Sequence, residues 1–175
     1  ASRGLGDVYK RQAAKGIYSF AKSILQARCN DYKIMAYKHE GYFSKITDIK
    51  SYYNANMALL DTDKRQKLFP DNAPVYTKVR DNPPAKFAIG AKVKNSLIAD
   101  GCIIEGTVEN SILFRGAKVG KGSVVKDSII MQDTVIGKNC VVDCVITDKI
   151  VKITDRKILT GSANYPIYIG KGAEI

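Results

Sequence analysis

From residue 89 to residue 154 the chain repeats pairs of branched apolar residues, most of them five or six residues apart, with Gly, Asp, Asn, Lys or Thr between them. The pairs are Leu97-Ile98, Ile103-Ile104, Ile112-Leu113, Val124-Val125, Ile129-Ile130, Val135-Ile136, Val141-Val142 and Val145-Ile146. This period is too long for the alternation of a single strand and too irregular for a heptad. It is typical of a hexapeptide-repeat β-helix, in which each repeat forms one short strand and one corner of a coil.

The repeat predicts a β-helix domain over residues 87–175 with roughly four coils. Inward β-branched side chains should stack from coil to coil and form a continuous core. The corners require residues that tolerate a left-handed backbone. The candidates are Gly101, Gly106, Gly120, Gly122, Gly137 and Asn139. A polar stretch over residues 155–166 interrupts the repeat, which resumes at Ile167.

The preceding residues 14–60 carry a different pattern, with apolar residues at helical spacing. One amphipathic helix is predicted from Ala14 to Leu25, a short strand over Tyr32–Tyr37, and a second helix from Ile49 to Leu60. Thr47 or Asp48 is the expected cap of the second helix. Because two helices and a strand cannot bury an independent core, we expect residues 14–60 to be the remnant of a larger α/β domain and the chain to be a fragment.

Two further segments complete the predicted organisation. Residues 1–13 show no periodicity and are interpreted as a tail outside the fold. Residues 61–86 contain Pro70, Pro74, Pro83 and Pro84, and the residue before each proline is disfavoured in the helical region. An extended linker is therefore predicted between the two domains.

Composition narrows the compartment and the partners. No stretch approaches the roughly 20 apolar residues of a membrane span, and no secretory signal peptide is expected, because no basic start is followed by an apolar core. The four cysteines lack zinc-site spacing, and Cys102 and Cys140 stand where the repeat needs a small buried residue. Reduced thiols and a cytoplasmic location are expected. The formal net charge of +11 suggests an acidic partner. The cations are dispersed along the chain, and no platform of aromatic and basic residues is visible, which favours a small anionic ligand over nucleic acid.

Five segments of the chain resemble one enzyme family, the glucose-1-phosphate adenylyltransferases (ADP-glucose pyrophosphorylases). The segments are residues 41–57, 80–87, 95–102, 108–116 and 128–134. The first is similar to the end of that family's catalytic domain, and the second to the entry into its β-helix. The resemblance covers nearly everything from residue 14 to residue 175.

This resemblance implies a left-handed parallel β-helix preceded by the end of an α/β nucleotidyltransferase domain. The family makes ADP-glucose and diphosphate from ATP and glucose 1-phosphate with Mg²⁺, in glycogen or starch synthesis. Its glycine-rich nucleotide loop, its basic sugar-phosphate residues and one metal carboxylate lie upstream of the segments matched here. The chain by itself is therefore predicted to be inactive, with no catalytic, cofactor-binding or metal-binding residues of its own.

The resemblance also singles out Lys45. Catalytic members carry an aspartate that binds the metal at the position matched by Lys45. Mg²⁺ requires oxygen ligands, and an ammonium group would repel it. Asp48 stands three residues further on, too far to replace that carboxylate without rebuilding the site. The pattern resembles the non-catalytic, regulatory subunit of two-subunit bacterial enzymes.

Such a subunit implies a hetero-oligomer with a catalytic partner, in the form of a tetramer. It also implies that a sugar-phosphate effector binds near the domain junction. The candidate anion contacts are Arg80, Lys86 and Arg115. Two alternatives stay open: a catalytic subunit with a variant metal site, and a hexapeptide-repeat acyltransferase. Acyltransferases of that kind use a histidine beside the coil as general base. The one histidine of this chain, His39, lies about fifty residues before the repeat, which weakens the second alternative.

Overall fold

The computed structural model describes residues 33–77 and 81–175 and the single positions 22, 26, 29 and 30. The chain divides into two compact units, residues 1–40 and residues 41–175. The predicted helix from Ala14 to Leu25 lies outside the described residues, apart from Lys22. The predicted strand over Tyr32–Tyr37 is wrong for residues 33–37, which are exposed and form no strand. A strand needs a hydrogen-bonded neighbour, and no described strand pairs with these residues.

Helix α1 (Ile49–Met57) continues into a 3₁₀ helix (Ala58–Leu60), which together confirm the predicted second helix. Asp48 is its N-cap: the carboxylate accepts the N–H of Ser51 at 2.6 Å, and the Ser51 hydroxyl accepts the N–H of Asp48 at 2.9 Å. This reciprocal capping box satisfies two backbone donors that the first turn leaves free.

Helix α2 (Thr62–Leu68) corrects the prediction that residues 61–86 are extended throughout. The Asp61 carboxylate accepts the N–H of Asp63 at 3.0 Å and caps this helix. The prolines begin only at Pro70, so nothing prevents a helix before that point. Within the described residues, no helix is long and apolar enough to cross a membrane.

The β-helix contains fifteen short strands. In chain order they are β1 (Lys86–Phe87), β2 (Lys92–Lys94), β3 (Leu97–Ile98), β4 (Ile103–Ile104), β5 (Thr107–Glu109), β6 (Ile112–Leu113), β7 (Lys118–Val119), β8 (Val124–Lys126), β9 (Ile129–Ile130), β10 (Val135–Ile136), β11 (Val141–Asp143), β12 (Val145–Thr147), β13 (Lys152–Ile153), β14 (Ile158–Thr160) and β15 (Ile167–Ile169). Strand β14 lies inside the polar stretch where the sequence pattern is interrupted.

Every third strand belongs to the same parallel sheet, which gives three five-stranded sheets. Sheet A contains β1, β4, β7, β10 and β13. Sheet B contains β2, β5, β8, β11 and β14, and sheet C contains β3, β6, β9, β12 and β15. Because four full turns separate the first and last strands of each sheet, the prediction of a mainly β chain with roughly four coils is confirmed.

The core is built from one inward residue of each strand. In sheet A the inward column is Ile104, Val119, Ile136 and Ile153, each no more than 1% exposed. Cys102 and Cys140 are free and fully buried in the same core, as predicted. Burial raises the pKa of the Cys102 thiol. The core is therefore continuous along the coil axis.

A ladder of serine hydroxyls joins successive coils between sheets B and C. Ser111 donates to the carbonyl of Glu109 at 2.7 Å and accepts the N–H of Ser128 at 3.1 Å. Ser128 in turn donates to the carbonyl of Lys126 and accepts the N–H of Val145 at 3.1 Å. Each hydroxyl thus satisfies a backbone donor of the next coil, and no described buried side-chain N or O lacks a partner.

The corner glycines serve two different purposes. Gly101, Gly122 and Asn139 have positive φ, as predicted. For Gly106, Gly120 and Gly137 the prediction of a left-handed backbone is wrong. A Cβ on any of these three would collide with backbone atoms of the following coil. Glycine is needed there because the coils approach each other closely.

We expect Gly120→Ala to lower the free energy of unfolding by about 1–3 kcal/mol, because the added methyl group meets the backbone of Gly137. The matched control is Gly170→Ala, since a Cβ there has no neighbour within 4 Å and φ is not positive. Urea unfolding monitored by circular dichroism measures both variants. Equal stability of the two would contradict the proposed role of close coil spacing.

Candidate functional site: the junction of helix α1 and sheet C

The outward face of sheet C differs from the other two because it is apolar and covered. Its outward column is Leu97, Ile112, Ile129, Ile146 and Tyr168. The three central members are 7%, 0% and 1% exposed. Both residues of each sheet C pair are therefore buried at the centre of the coil, one against the core and one against another element.

Helix α1 is that covering element. Tyr53 is 4% exposed and packs against Ile129 and Ile146, and Tyr52 and Met57 extend the contact. The sheet C seat itself was not predicted. Its sequence signal was that both members of the sheet C pairs are large and apolar, whereas several pairs of sheet A begin with lysine or another exposed residue.

The Tyr53 hydroxyl fixes the helix on the coil. It donates to the carbonyl of Asp127 at 2.7 Å and lies 3.8 Å from the sulfur of Cys144. Asp127 and Cys144 both have positive φ, so their backbone forms the turn on which the phenol rests. Burial raises the pKa of the Tyr53 phenol, and the neighbouring Cys144 and Asp127 add to the shift. The phenol therefore stays protonated and keeps its role as donor.

The segment before helix α1 does not suit a magnesium site. Lys45 is exposed, and it forms no ion pair in the described part of the chain. The Asp48 carboxylate is the helix cap, and its hydrogen bonds with Ser51 lower its pKa. The described residues contain no cluster of three His, Cys, Asp or Glu side chains that could hold a metal ion. These residues do not fit the metal that the resemblance implies for catalytic members.

Two open grooves border the start of helix α1. The first, of about 450 Å³, is lined by Ile46, Ile49, Tyr52, Met131 and Tyr168, among others. The second, of about 710 Å³, runs along residues 164–168. The last coil is five residues longer than the one before it, because β15 follows β12 by 22 residues whereas β12 follows β9 by 17. Residues 164–166 lie in this longer connection. The grooves are mainly apolar and contain no arrangement of catalytic groups.

The predicted anion contacts do not converge on these grooves. Arg80 lies outside the described residues. Lys86 is exposed at the start of β1, and Arg115 is half-buried in the turn between β6 and β7. Both belong to sheet A or to the turns leading into it, but they lie in different coils. His39 is exposed in the other compact unit.

Removing the Tyr53 hydroxyl should loosen the junction. We expect Tyr53→Phe to lower the free energy of unfolding by about 1 kcal/mol and Tyr53→Ala by about 3–5 kcal/mol, because the second change also empties the seat. Tyr76→Phe is the control, since Tyr76 is 91% exposed. Chemical denaturation of all three variants measures the difference. A Tyr53→Phe variant as stable as the control would contradict the assigned hydrogen bond.

The raised pKa of Tyr53 makes stability depend on pH. The unfolded chain releases the phenolic proton near pH 10, whereas the folded chain retains it, so this contribution is complete below about pH 10 and is lost as the pH rises further. We expect the loss of unfolding free energy between about pH 9 and about pH 11 to be smaller in Tyr53→Phe. The raised thiol pKa of Cys144 acts in the same direction in both proteins. Identical pH profiles would contradict the assignment.

Comparison with known proteins identifies the relatives of this chain. Residues 83–162 match the family model described as the GlmU-like, C-terminal hexapeptide. Glycogen biosynthesis protein GlgD of Bacillus subtilis is 40% identical over 168 residues, which is 96% of this chain and 49% of that protein. Glucose-1-phosphate adenylyltransferase of Bacillus mycoides is 38% identical over 146 residues, 83% of this chain and 39% of that protein.

The same identity and coverage are found for the glucose-1-phosphate adenylyltransferase of Bacillus cereus. The chain spans about half the length, or less, of the curated relatives it matches. The matches confirm the predicted resemblance and extend beyond the repeat into the helical segment that carries Tyr53. The chain is thus similar to GlgD over 96% of its length and to these glucose-1-phosphate adenylyltransferases over 83%.

Proposed function

We propose that this chain belongs to a regulatory and assembly subunit of glucose-1-phosphate adenylyltransferase, which converts ATP and glucose 1-phosphate to ADP-glucose and diphosphate in cytoplasmic glycogen synthesis. The subunit is itself non-catalytic. It forms a hetero-oligomer with a catalytic subunit and modifies the response of that subunit to effectors. Mg²⁺ acts in the catalytic subunit and has no ligand among the described residues of this chain.

The similarity to GlgD supports the glycogen-related role, because that relative is described as a glycogen biosynthesis protein and matches 96% of the chain. The adenylyltransferase relatives support the reaction in which the subunit takes part. A catalytic subunit with a variant metal site would share both similarities. The choice between them depends on the residues before helix α1.

The observation that carries the proposal is that a lysine, Lys45, stands at the expected metal-ligand position while the nearby Asp48 carboxylate caps helix α1. Lys45 stands where the resemblance places a metal carboxylate, and a lysine cannot coordinate Mg²⁺. Asp48 is the nearest replacement in sequence, but its carboxylate accepts the N–H of Ser51 and begins helix α1. Moving Asp48 to a metal would remove the cap of the helix that sits on sheet C.

The direct test is ADP-glucose synthesis by the full-length protein, alone and mixed with a catalytic adenylyltransferase subunit from the same organism. We expect no synthesis above background by the full-length protein alone. In the mixture we expect synthesis whose dependence on added sugar phosphates differs from that of the catalytic subunit alone. Turnover without the partner would contradict the regulatory role, and transfer of an acyl group from acyl-coenzyme A would support the acyltransferase alternative instead.

A second test restores the carboxylate. In the full-length protein with ATP bound, Lys45→Asp should strengthen Mg²⁺ binding about tenfold or more, because a change of two charge units close to a divalent cation is worth over about 1.4 kcal/mol. Lys50→Asp makes the same charge change five residues further on and should have no such effect. Calorimetric titration measures both. Equal Mg²⁺ affinities of the two variants would contradict the position assigned to Lys45.

A further inference from the structure

The outward column of sheet C changes character at its last member. Ile129 and Ile146 are buried beneath helix α1, whereas Tyr168 continues the column on β15 and is 52% exposed. Both grooves at the start of the helix are lined by Tyr168, Asp48 and Ile49, so the two grooves meet at this ring. An aromatic side chain is therefore open to solvent where the helix no longer covers the sheet.

A second tyrosine lies beside the first because the connection before β15 forms a tight turn. The Ser162 N–H donates to the carbonyl of Tyr165 at 3.2 Å, and the Tyr165 N–H donates to the carbonyl of Ser162 at 2.9 Å. Pro166 then fixes the backbone that leads into β15. Tyr165 is 83% exposed and lines the larger groove together with Tyr168. The turn thus presents a tyrosine to solvent on a constrained backbone.

The polar groups of the grooves suit a neutral ligand. The charged residues that line them are Asp48, Asp148 and Lys50, which are two carboxylates against one ammonium group. A phosphate ester or a nucleotide would meet net negative charge there, which disfavours its binding. Asn164 also lines the larger groove, and its side-chain amide has no partner among the described residues. An amide both donates and accepts hydrogen bonds, so it can pair with a hydroxyl group in either direction.

We propose that the groove lined by Tyr165, Tyr168, Asn164 and Asp148 binds a neutral oligosaccharide, a chain of α-linked glucose residues. A pyranose ring has an apolar face of C–H groups, which packs on the negative face of an aromatic ring. Its hydroxyl groups project from the ring edge, where a carboxylate accepts and an amide does both. The choice of glucose rests on the proposed function, which places the protein in glycogen synthesis.

The dimensions favour several sugar residues over one. Tyr165 and Tyr168 are three residues apart, so at most about 10 Å of extended backbone separates them, which is longer than one pyranose ring. The larger groove has a volume of about 710 Å³, and ligand sites commonly measure about 300–1,000 Å³. Two ring faces and this volume suit an oligosaccharide that lies along the groove.

A proline-rich peptide is the nearest competing ligand, because such peptides also pack on aromatic side chains in grooves. Proline has no backbone N–H, however, and so has no donor for the carboxylate of Asp148. A sugar offers hydroxyl donors to Asp148 and both donors and acceptors to Asn164. The polar residues of the groove therefore favour the sugar over the peptide.

Titration calorimetry of the full-length protein with maltoheptaose tests the proposal. We expect the wild type to bind, and Tyr165→Ala to raise the Kd about tenfold because one stacking ring is lost. Tyr165→Phe keeps the ring and should retain most of the affinity. The matched control is Tyr76→Ala, at a tyrosine that is 91% exposed and lines neither groove, and it should bind like the wild type.

The outcomes separate this site from the proposed function, because ADP-glucose synthesis is measured independently. If the wild type does not bind maltoheptaose, or if Tyr76→Ala weakens binding as much as Tyr165→Ala, the oligosaccharide site is wrong and the proposed function stands. Equal affinity for cellohexaose, a β-linked glucose chain, would overturn the choice of α-linked glucose. Tighter binding of a proline-rich peptide or of glucose 1-phosphate, lost in Tyr165→Ala, would overturn the assignment to a neutral sugar.

Discussion

The backbone hydrogen bonds that join each coil to the next are the constraint on which the whole structure depends. They run at regular distances, such as 3.0 Å from the N–H of Ile103 to the carbonyl of Ala117 and 2.9 Å from the N–H of Lys118 to the carbonyl of Thr134. This spacing stacks equivalent residues in columns. It also leaves no room for a Cβ at Gly120, and it places serine hydroxyls within reach of the next coil.

Once residues stack in columns, each face of the coil acquires one character. Sheet C presents isoleucines outward and is covered by helix α1, with Tyr53 as the anchor. On sheet B, Glu109 pairs with Lys94 and Lys126. On sheet A, exposed lysines alternate with Ile103 and Val135, and Lys152 pairs with Glu174. One face therefore holds the helical segment, and the other two carry the charged side chains.

The coil was predictable because each short strand carries its own apolar pair, which marks the period without any tertiary information. Helix α2 was missed because the prolines from Pro70 onward were taken to make the whole segment extended, although Asp61 can cap a helix before them. A left-handed backbone was wrongly predicted for glycines such as Gly120. The reason for glycine there is the close approach of the next coil, which the local sequence does not reveal. The importance of Tyr53 likewise became visible only when Asp127, 74 residues away, was brought to its hydroxyl.

Hydrogen exchange of the backbone amides tests the central claim most directly. The amides that join one coil to the next, such as those of Ile103 and Lys118, should be strongly protected. The account predicts that Tyr53→Phe speeds exchange in helix α1, whereas the amides of the central coils keep their protection. Unchanged exchange in helix α1, or an equal loss of protection in the central coils, would contradict it.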